Sequence, residues 1–196
     1  MRKFLLVILF ASLNISALFA QTKLNLSGNE SKVLIKGTSS VHDWTAKCDN
    51  KSGDISATLD KNTLKVLQVL NLKIASKSVR SIDEKGEYYD DVMDSRIWKA
   101  FETEKFPELT VVLKQVKSIT MVGNKADIDA IAFVTIHGIK KEVPVKASAE
   151  ISNNTIRIKG KKDIKMLDYG VQPPTILLEF LKTGNEVTIE FDLLYK

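Results

Sequence analysis

An all-β fold is what this sequence predicts: about eight antiparallel strands forming a barrel or a sandwich, with one short helical insertion. Three observations carry that expectation. Residues 127–151, DIDAIAFVTIHGIKKEVPVKASAEI, hold two alternating apolar runs joined by a short loop with a glycine, the pattern of a β-hairpin. Further alternating runs recur at short spacing along the chain, as in antiparallel barrels and sandwiches. Only in the stretch 83–107 do apolar residues switch to a spacing of three and four, which marks one face of a helix.

The chain opens with MRKFLLVILFASLNISALFAQ. Arg2 and Lys3 precede an apolar run from Phe4 to Leu13, and small residues follow up to Ala20. A basic start, a short apolar stretch and a small-residue end together form the pattern of a signal peptide. The apolar run is too short to anchor the chain across a bilayer, and no cysteine follows it to carry a lipid. Residues 1–20 are therefore assigned to a signal peptide, and residues 21–196 to one exported domain, periplasmic or secreted, with a sizeable core. The net charge of +5 falls by two when Arg2 and Lys3 leave. The remaining lysines are dispersed among Asp and Glu, with no basic stripe carrying aromatics, which speaks against nucleic acid as a partner. Cys48 is the only cysteine. It excludes an internal disulfide and leaves two fates, a free thiol or a pairing with another chain in a homodimer.

The elements follow in order. Leu24 to Gly37 gives a first apolar strand, Lys32-Val33-Leu34-Ile35-Lys36; Gly37 is expected to break or bend it, with Trp44 resuming it. Ile55, Ala57 and Leu59 alternate in a third run. Leu70, Leu72, Ile74, Ser76 and Ser78 make a strand that ends at Arg80. Asp90-Asp91 then precede Val92, Met93, Ile97, Trp98 and Phe101, which share one helical face, and the aspartates sit where acidic side chains cap a helix and favour its dipole. Phe106-Pro107 ends that segment, and Thr110 to Ile119 returns to strand character. In the hairpin, Ile128, Ala130, Ala132, Val134 and Ile136 face one side. The chain is expected to turn through Ile139-Lys140-Lys141 after His137-Gly138, and Val143, Val145, Ala147, Ala149 and Ile151 alternate on the return. Thr155 to Met166 is a further strand, Leu167 to Pro174 a loop, and Glu186 to Leu194 a closing strand with Val187, Ile189, Phe191 and Leu193 inward. The small residues on the hairpin's inner face leave room for something to sit against them.

Few side chains offer chemistry. Ser40, His42 and Asp43 invite comparison with a catalytic triad, but in an extended segment Ser40 and His42 face one side and Asp43 the other, and no nucleophile elbow is present. His42 and His137 are the only histidines, and neither sits in a metal-ligand spacing. No glycine-rich phosphate loop is present, and no cofactor or metal is expected. An eight-stranded barrel has an interior just wide enough for side chains or one small ligand, and an apolar pocket of that kind suits a lipid tail.

Several of these pieces together resemble the YceI-like family of exported bacterial proteins. They are Gly37-x-Ser39-x-Val41-His42-Asp43-Trp44, then Val134-Thr135-Ile136-His137-Gly138-Ile139-Lys140-Lys141 with Val143 after it, then Asp168-Tyr169-Gly170-Val171, and the helical segment before Phe106-Pro107-Glu108-Leu109. The resemblance covers essentially residues 21–196. It implies an eight-stranded lipocalin-like barrel that holds a polyisoprenoid or another long amphipathic lipid, without a stable membrane anchor. Two stretches depart from the family pattern. Asp91-Val92-Met93-Asp94-Ser95-Arg96-Ile97-Trp98 stands where many members carry a His-Leu-Arg/Lys run and paired phenylalanines. Lys165 is the nearest cation where many have an arginine before the late Asp-aromatic-Gly.

The leading expectation is a non-enzymatic lipid carrier. Leu72, Ile74, Ala130, Ala132, Val134, Ile136, Val145 and Phe191 would contact the tail, and Met93, Trp98 and Phe101 would close the mouth. The alternatives are an exported stress-response or interaction protein whose barrel is fully packed, and an enzyme using His42 and Asp43.

Overall fold

The computed structural model describes residues 21–176 and 181–196; the expected signal peptide, residues 1–20, lies outside them. Six strands come first: β1 (Gln21–Asn25), β2 (Lys32–Ser39), β3 (Trp44–Cys48), β4 (Lys51–Asp60), β5 (Thr63–Ala75) and β6 (Val79–Ile82). One helix, α1 (Asp91–Phe101), separates them from β7 (Glu108–Val122), β8 (Lys125–Ile136), β9 (Ile139–Ser152), β10 (Thr155–Lys165), the two-residue β11 (Thr175–Ile176) and β12 (Leu181–Tyr195). Eleven strands lie on one path, β1-β4-β5-β7-β8-β9-β10-β12-β2-β3-β6, and β11 pairs with β12 off it. Each pairing along the path is antiparallel. The fold class is therefore all-β with one helix, as expected.

The expected count of eight is not what the pairing shows, and the excess has a physical source. A 3-10 turn at Gly28–Glu30 divides β1 from β2, Asp49 and Asn50 divide β3 from β4, and a 3-10 turn at Ser76–Ser78 divides β5 from β6. At each break the backbone changes partner: β1 pairs β4, whereas β2 pairs β12 and β3. The first and third of these interruptions fall inside stretches that periodicity alone reads as one strand, Leu24 to Gly37 and Leu70 to Arg80.

Curvature comes from irregular register. β4 and β5 slip at Ser56/Ala57 and Thr58/Leu59, and β7 and β8 slip at Leu113/Gln115 and Val116/Ser118. Bulges bend a strand and raise its twist. The sheet curls far enough for Leu26 to bridge Tyr195, with backbone hydrogen bonds of 3.0 and 2.9 Å exchanged between Asn25 and Lys196. Tyr195 is fully buried at this seam.

Two local expectations are corrected. β2 continues through Gly37 to Ser39, the chain reverses over residues 40–43, and β3 returns with Trp44 opposite Gly37. A Cβ on Gly37 would lie 2.3 Å from the Trp44 ring, so the glycine admits the indole rather than breaking the strand. In the hairpin of β8 and β9, the turn is His137-Gly138 alone, with φ of 52° and 74° and Ile136 opposite Ile139. Two consecutive positive φ values give a two-residue turn whose twist matches the flanking strands. Ile139, Lys140 and Lys141 already belong to β9.

α1 begins as its sequence indicates. Asp90 has extended backbone, and its carboxylate accepts a 2.8 Å hydrogen bond from the Val92 amide, satisfying one of the orphan donors of the first turn. The helix ends where Glu102 turns left-handed, at φ 46°. Its inward face differs from the expected one. Val92 is 55 % exposed, whereas Asp94 is fully buried.

Candidate functional site: an apolar cavity under the helix

A cavity of about 240 Å³ occupies the interior of the curled sheet beneath α1. It exceeds the ~150 Å³ apolar voids that hold a benzene-sized guest. Its walls are built by alternation: along β8, Ile128, Ala130, Ala132, Val134 and Ile136 all line it, each less than 10 % exposed. β9 adds Val143, Val145 and Ala147, β5 adds Leu72 and Ile74, and β12 adds Val187, Ile189, Phe191 and Leu193. The Phe191 ring sits against Gly160, its register partner on β10, where a Cβ would lie 2.5 Å from the ring.

From α1 come Met93, Arg96, Ile97, Ala100 and Phe101, spaced at three and four. Of the residues the sequence nominated, the structure brings together Leu72, Ile74, Met93, Phe101, Ala130, Ala132, Val134, Ile136, Val145 and Phe191 around this one space. Trp98 is not among the residues around it. Its indole Nε1 donates a 3.0 Å hydrogen bond to the Val79 carbonyl on β6.

The rotation of α1 that separates Trp98 from the cavity is set by Asp94. Its Oδ1 accepts from the Ser81 amide at 2.6 Å and from the Ser81 hydroxyl at 2.9 Å, and its Oδ2 accepts from Arg80 Nε at 2.6 Å. Asp94 and Trp98 are one turn apart on the same side of the helix. They grip β6 at Ser81 and Val79, two residues apart. Residues 93, 96, 97, 100 and 101 are thereby left facing inward. Arg80 extends outward from this joint, pairing with Asp91 at 3.1 Å and lying 4.0 Å from the Tyr88 ring centre. Nothing in the apolar pattern reveals Asp94 or Arg96, because both are polar residues at inward positions.

Polar groups on the cavity wall are few: mainly hydroxyls such as Thr45, Ser81, Thr110 and Thr135, together with the cations Arg96 and Lys162. Among the described residues, no carboxylate lines it. Cys48 also lines it and is 1 % exposed, so it is unavailable for pairing with another chain. Burial pushes its thiol up to about 12, where the reactive thiolate is scarce at neutral pH.

The other nominated residues are placed elsewhere. His42 and Asp43 are exposed on the β2–β3 loop. Ser39 closes that loop, with its Oγ donating to the His42 carbonyl at 2.7 Å and accepting from the His42 amide at 3.2 Å. Neither His42 nor Asp43 lines the cavity. His137 lies at the hairpin turn, its ring 4.4 Å from that of Phe106 and its Nε2 3.2 Å from Glu102 Oε1. Gly170 packs on the same imidazole, and Gly138 packs on Phe106. The sequence pieces around residues 106, 137–138 and 169–171 therefore meet at one point, as a joint between hairpin, helix end and the late 3-10 turn (Met166–Tyr169).

Residues 23–195 match the YceI-like domain family. No curated protein matches the chain. Three solved structures share the fold. A polyisoprenoid binding domain from Saccharophagus degradans, implicated in plant cell wall breakdown, superposes with a TM-score of 0.66 at 19 % identity, over 88 % of this chain and 97 % of that one. BcnA of Burkholderia cenocepacia gives a TM-score of 0.64 at 18 % identity, over 86 % and 98 %. The Campylobacter jejuni YceI protein gives 0.57 at 15 % identity, over 76 % and 82 %. At these identities the likeness is one of fold.

Proposed function

The chain belongs to the YceI-like family, and from that premise we propose that it is an exported carrier that holds the long apolar chain of a lipid, a polyisoprenoid or a similar amphiphile, inside its barrel. The observation that carries this reading is the apolar cavity under α1, walled by ten of the side chains that the sequence nominated. Each buried CH₂ of a tail contributes about 0.8 kcal/mol gross. Ten carbons offer about 8 kcal/mol, of the same order as the cost of immobilising a ligand. A preformed space lowers that cost, and a long tail raises the gain. The void argues against the alternative of a fully packed interaction barrel, and the exposure of His42 and Asp43 argues against an enzyme built on them. The Saccharophagus degradans neighbour's description as a polyisoprenoid binding domain supports the choice of ligand class. Export rests on the signal-peptide pattern of residues 1–20. No helix among the described residues is long and apolar enough to cross a membrane.

The test is native mass spectrometry and lipid extraction of protein purified from its own host, with Ala132→Phe alongside. A long-chain lipid is expected with the wild type. Ala132 is buried on the cavity wall, so a phenyl ring there fills the space, and binding of prenyl and acyl probes should fall at least tenfold. Absence of any apolar ligand, together with no binding of either probe class, refutes the carrier. Amino-terminal sequencing of the mature protein is expected to begin at or within two residues of Gln21; a retained Met1 refutes export.

A further inference from the structure

Lys162 occupies an inward position on a strand whose other inward residues are apolar. It lies on β10 opposite Ile189; Ile189 is opposite Ile35, Ile35 opposite Ala46, and Ala46 opposite Ser81. Register partners share a face of the sheet, and all five residues line the cavity. They form one level of its wall, across β10, β12, β2, β3 and β6. Ser81 closes that level and holds Asp94, and Arg96, two residues further along α1, turns into the same space. Lys162 therefore shares a register level with Ser81, the residue that holds α1, and Arg96 reaches the same cavity from α1 itself.

Neither cation has a carboxylate partner among the described residues. Among the described residues, Arg80 and Arg157 are both paired with carboxylates. Arg96 has no described carboxylate within ion-pair distance, and its Nη1 lies 3.4 Å from the Met93 sulfur, a weak acceptor. Lys162 likewise forms no ion pair with a described residue, although lysines on either side of it in sequence do, Lys159 with Asp192 and Lys165 with Glu186. The nearby Asp94 carboxylate is no substitute. Residues two apart on a helix do not face each other, and its oxygens are taken by Ser81 and Arg80. A half-buried guanidinium on an apolar wall without an anion is costly, and its planar fork matches the oxygens of a phosphate or a carboxylate.

We propose that the amphiphile held by this barrel carries an anionic head, a phosphate or a carboxylate, bound between Arg96 and Lys162 at the α1 end of the cavity, with its chain running inward past Ala130 and Ala132. The inference rests on the carrier reading and adds the ligand's polar class and orientation to it. A neutral chain of equal length fills the same apolar space and leaves both cations unanswered, so the site discriminates by head group.

The experiment compares matched pairs by displacement of a fluorescent acyl probe: palmitic acid against hexadecanol, and farnesyl phosphate against farnesol. A charge-assisted contact of this kind corresponds to about tenfold to a hundredfold in affinity. The wild type is expected to prefer the anionic member of at least one pair by that factor, and the pair showing it identifies the head as carboxylate or phosphate. Arg96→Gln and Lys162→Gln should each shrink the ratio of affinities between the anionic member and its alcohol. Equal affinities within both pairs, or a preference that survives intact in both variants, overturns the head-group assignment and leaves the carrier standing. Binding of no member of either pair overturns the carrier itself.

Discussion

Asp94→Ala tests the joint that sets the face of α1. In the folded chain the Ser81 amide, on a residue 6 % exposed, donates at 2.6 Å to Asp94 Oδ1. Alanine leaves that amide without an acceptor, which costs about 1–3 kcal/mol. The Ser81 hydroxyl is spared, because it can turn to the Asp90 carbonyl at 3.2 Å. Arg80 retains Asp91 at the surface, so no further loss is assigned to it. The cost falls on the contact between α1 and β6, and it should therefore appear twice. Urea unfolding followed by tryptophan fluorescence should show a loss of about 1–3 kcal/mol, since Trp98 hydrogen-bonds across the same contact. Alkylation of Cys48, which lies on the cavity wall, should accelerate about 5- to 150-fold under native conditions as α1 lifts more often. Asp94→Asn keeps an acceptor for Ser81 while turning its amide toward Arg80 Nε, and should lose less. A change in stability below about 0.5 kcal/mol, together with an unchanged Cys48 rate, refutes the assignment of Asp94 as the anchor.

Three further outcomes are expected. With the Cys48 thiol pushed up to about 12 by burial, its alkylation rate should climb tenfold per pH unit from 7 to 10 without levelling; a plateau near pH 9 contradicts that environment. Gly138 has φ of 74°, and a Cβ there would meet the Phe106 ring at 2.6 Å, so Gly138→Ala should cost about 1–2 kcal/mol and lower Tm by about 2–8 °C; an unchanged melting curve counts against the turn geometry. Asp192 is pushed up by burial, but hydrogen bonds from Arg157 and Lys159 outweigh this and hold its carboxyl below the ordinary 3.8. Its contribution to stability is full above the unfolded value and lost as pH falls through the folded one. Asp192→Asn should accordingly flatten the acid limb below pH 4, and an acid transition identical to wild type refutes the linkage.

The hairpin of β8 and β9 was legible because alternation and side-chain size act locally: Ala130 and Ala132 declare both an inward face and the room beside it. The helix was legible in its limits, through Asp90 and the spacing after it, but not in its rotation. That rotation is decided by Asp94 meeting Ser81, thirteen residues earlier in sequence and on another element. An apolar count places Trp98 inward and Arg96 outward, and tertiary hydrogen bonding reverses both. Lys162 escaped for the same reason, since a cation at an inward strand position interrupts the pattern by which inward positions are recognised. The strand count failed where the backbone changes partner inside a stretch that reads as one run, as at Ser76–Ser78.

The seam between Leu26 and Tyr195 bears on how the chain becomes a barrel at all. β1 is made early and β12 late, yet each needs the other, and β2 too takes β12 as a neighbour. A chain emerging from amino to carboxyl end can zip the local hairpins as they appear. It cannot shut until the segment Leu181–Tyr195 has arrived, and such long-range pairing is slow to form. During that interval the apolar wall stands open along one edge, a template for unwanted strand pairing. An amphiphile met at this stage would find the interior accessible from the side rather than through the end beneath α1, so loading during assembly and loading afterwards would follow different routes.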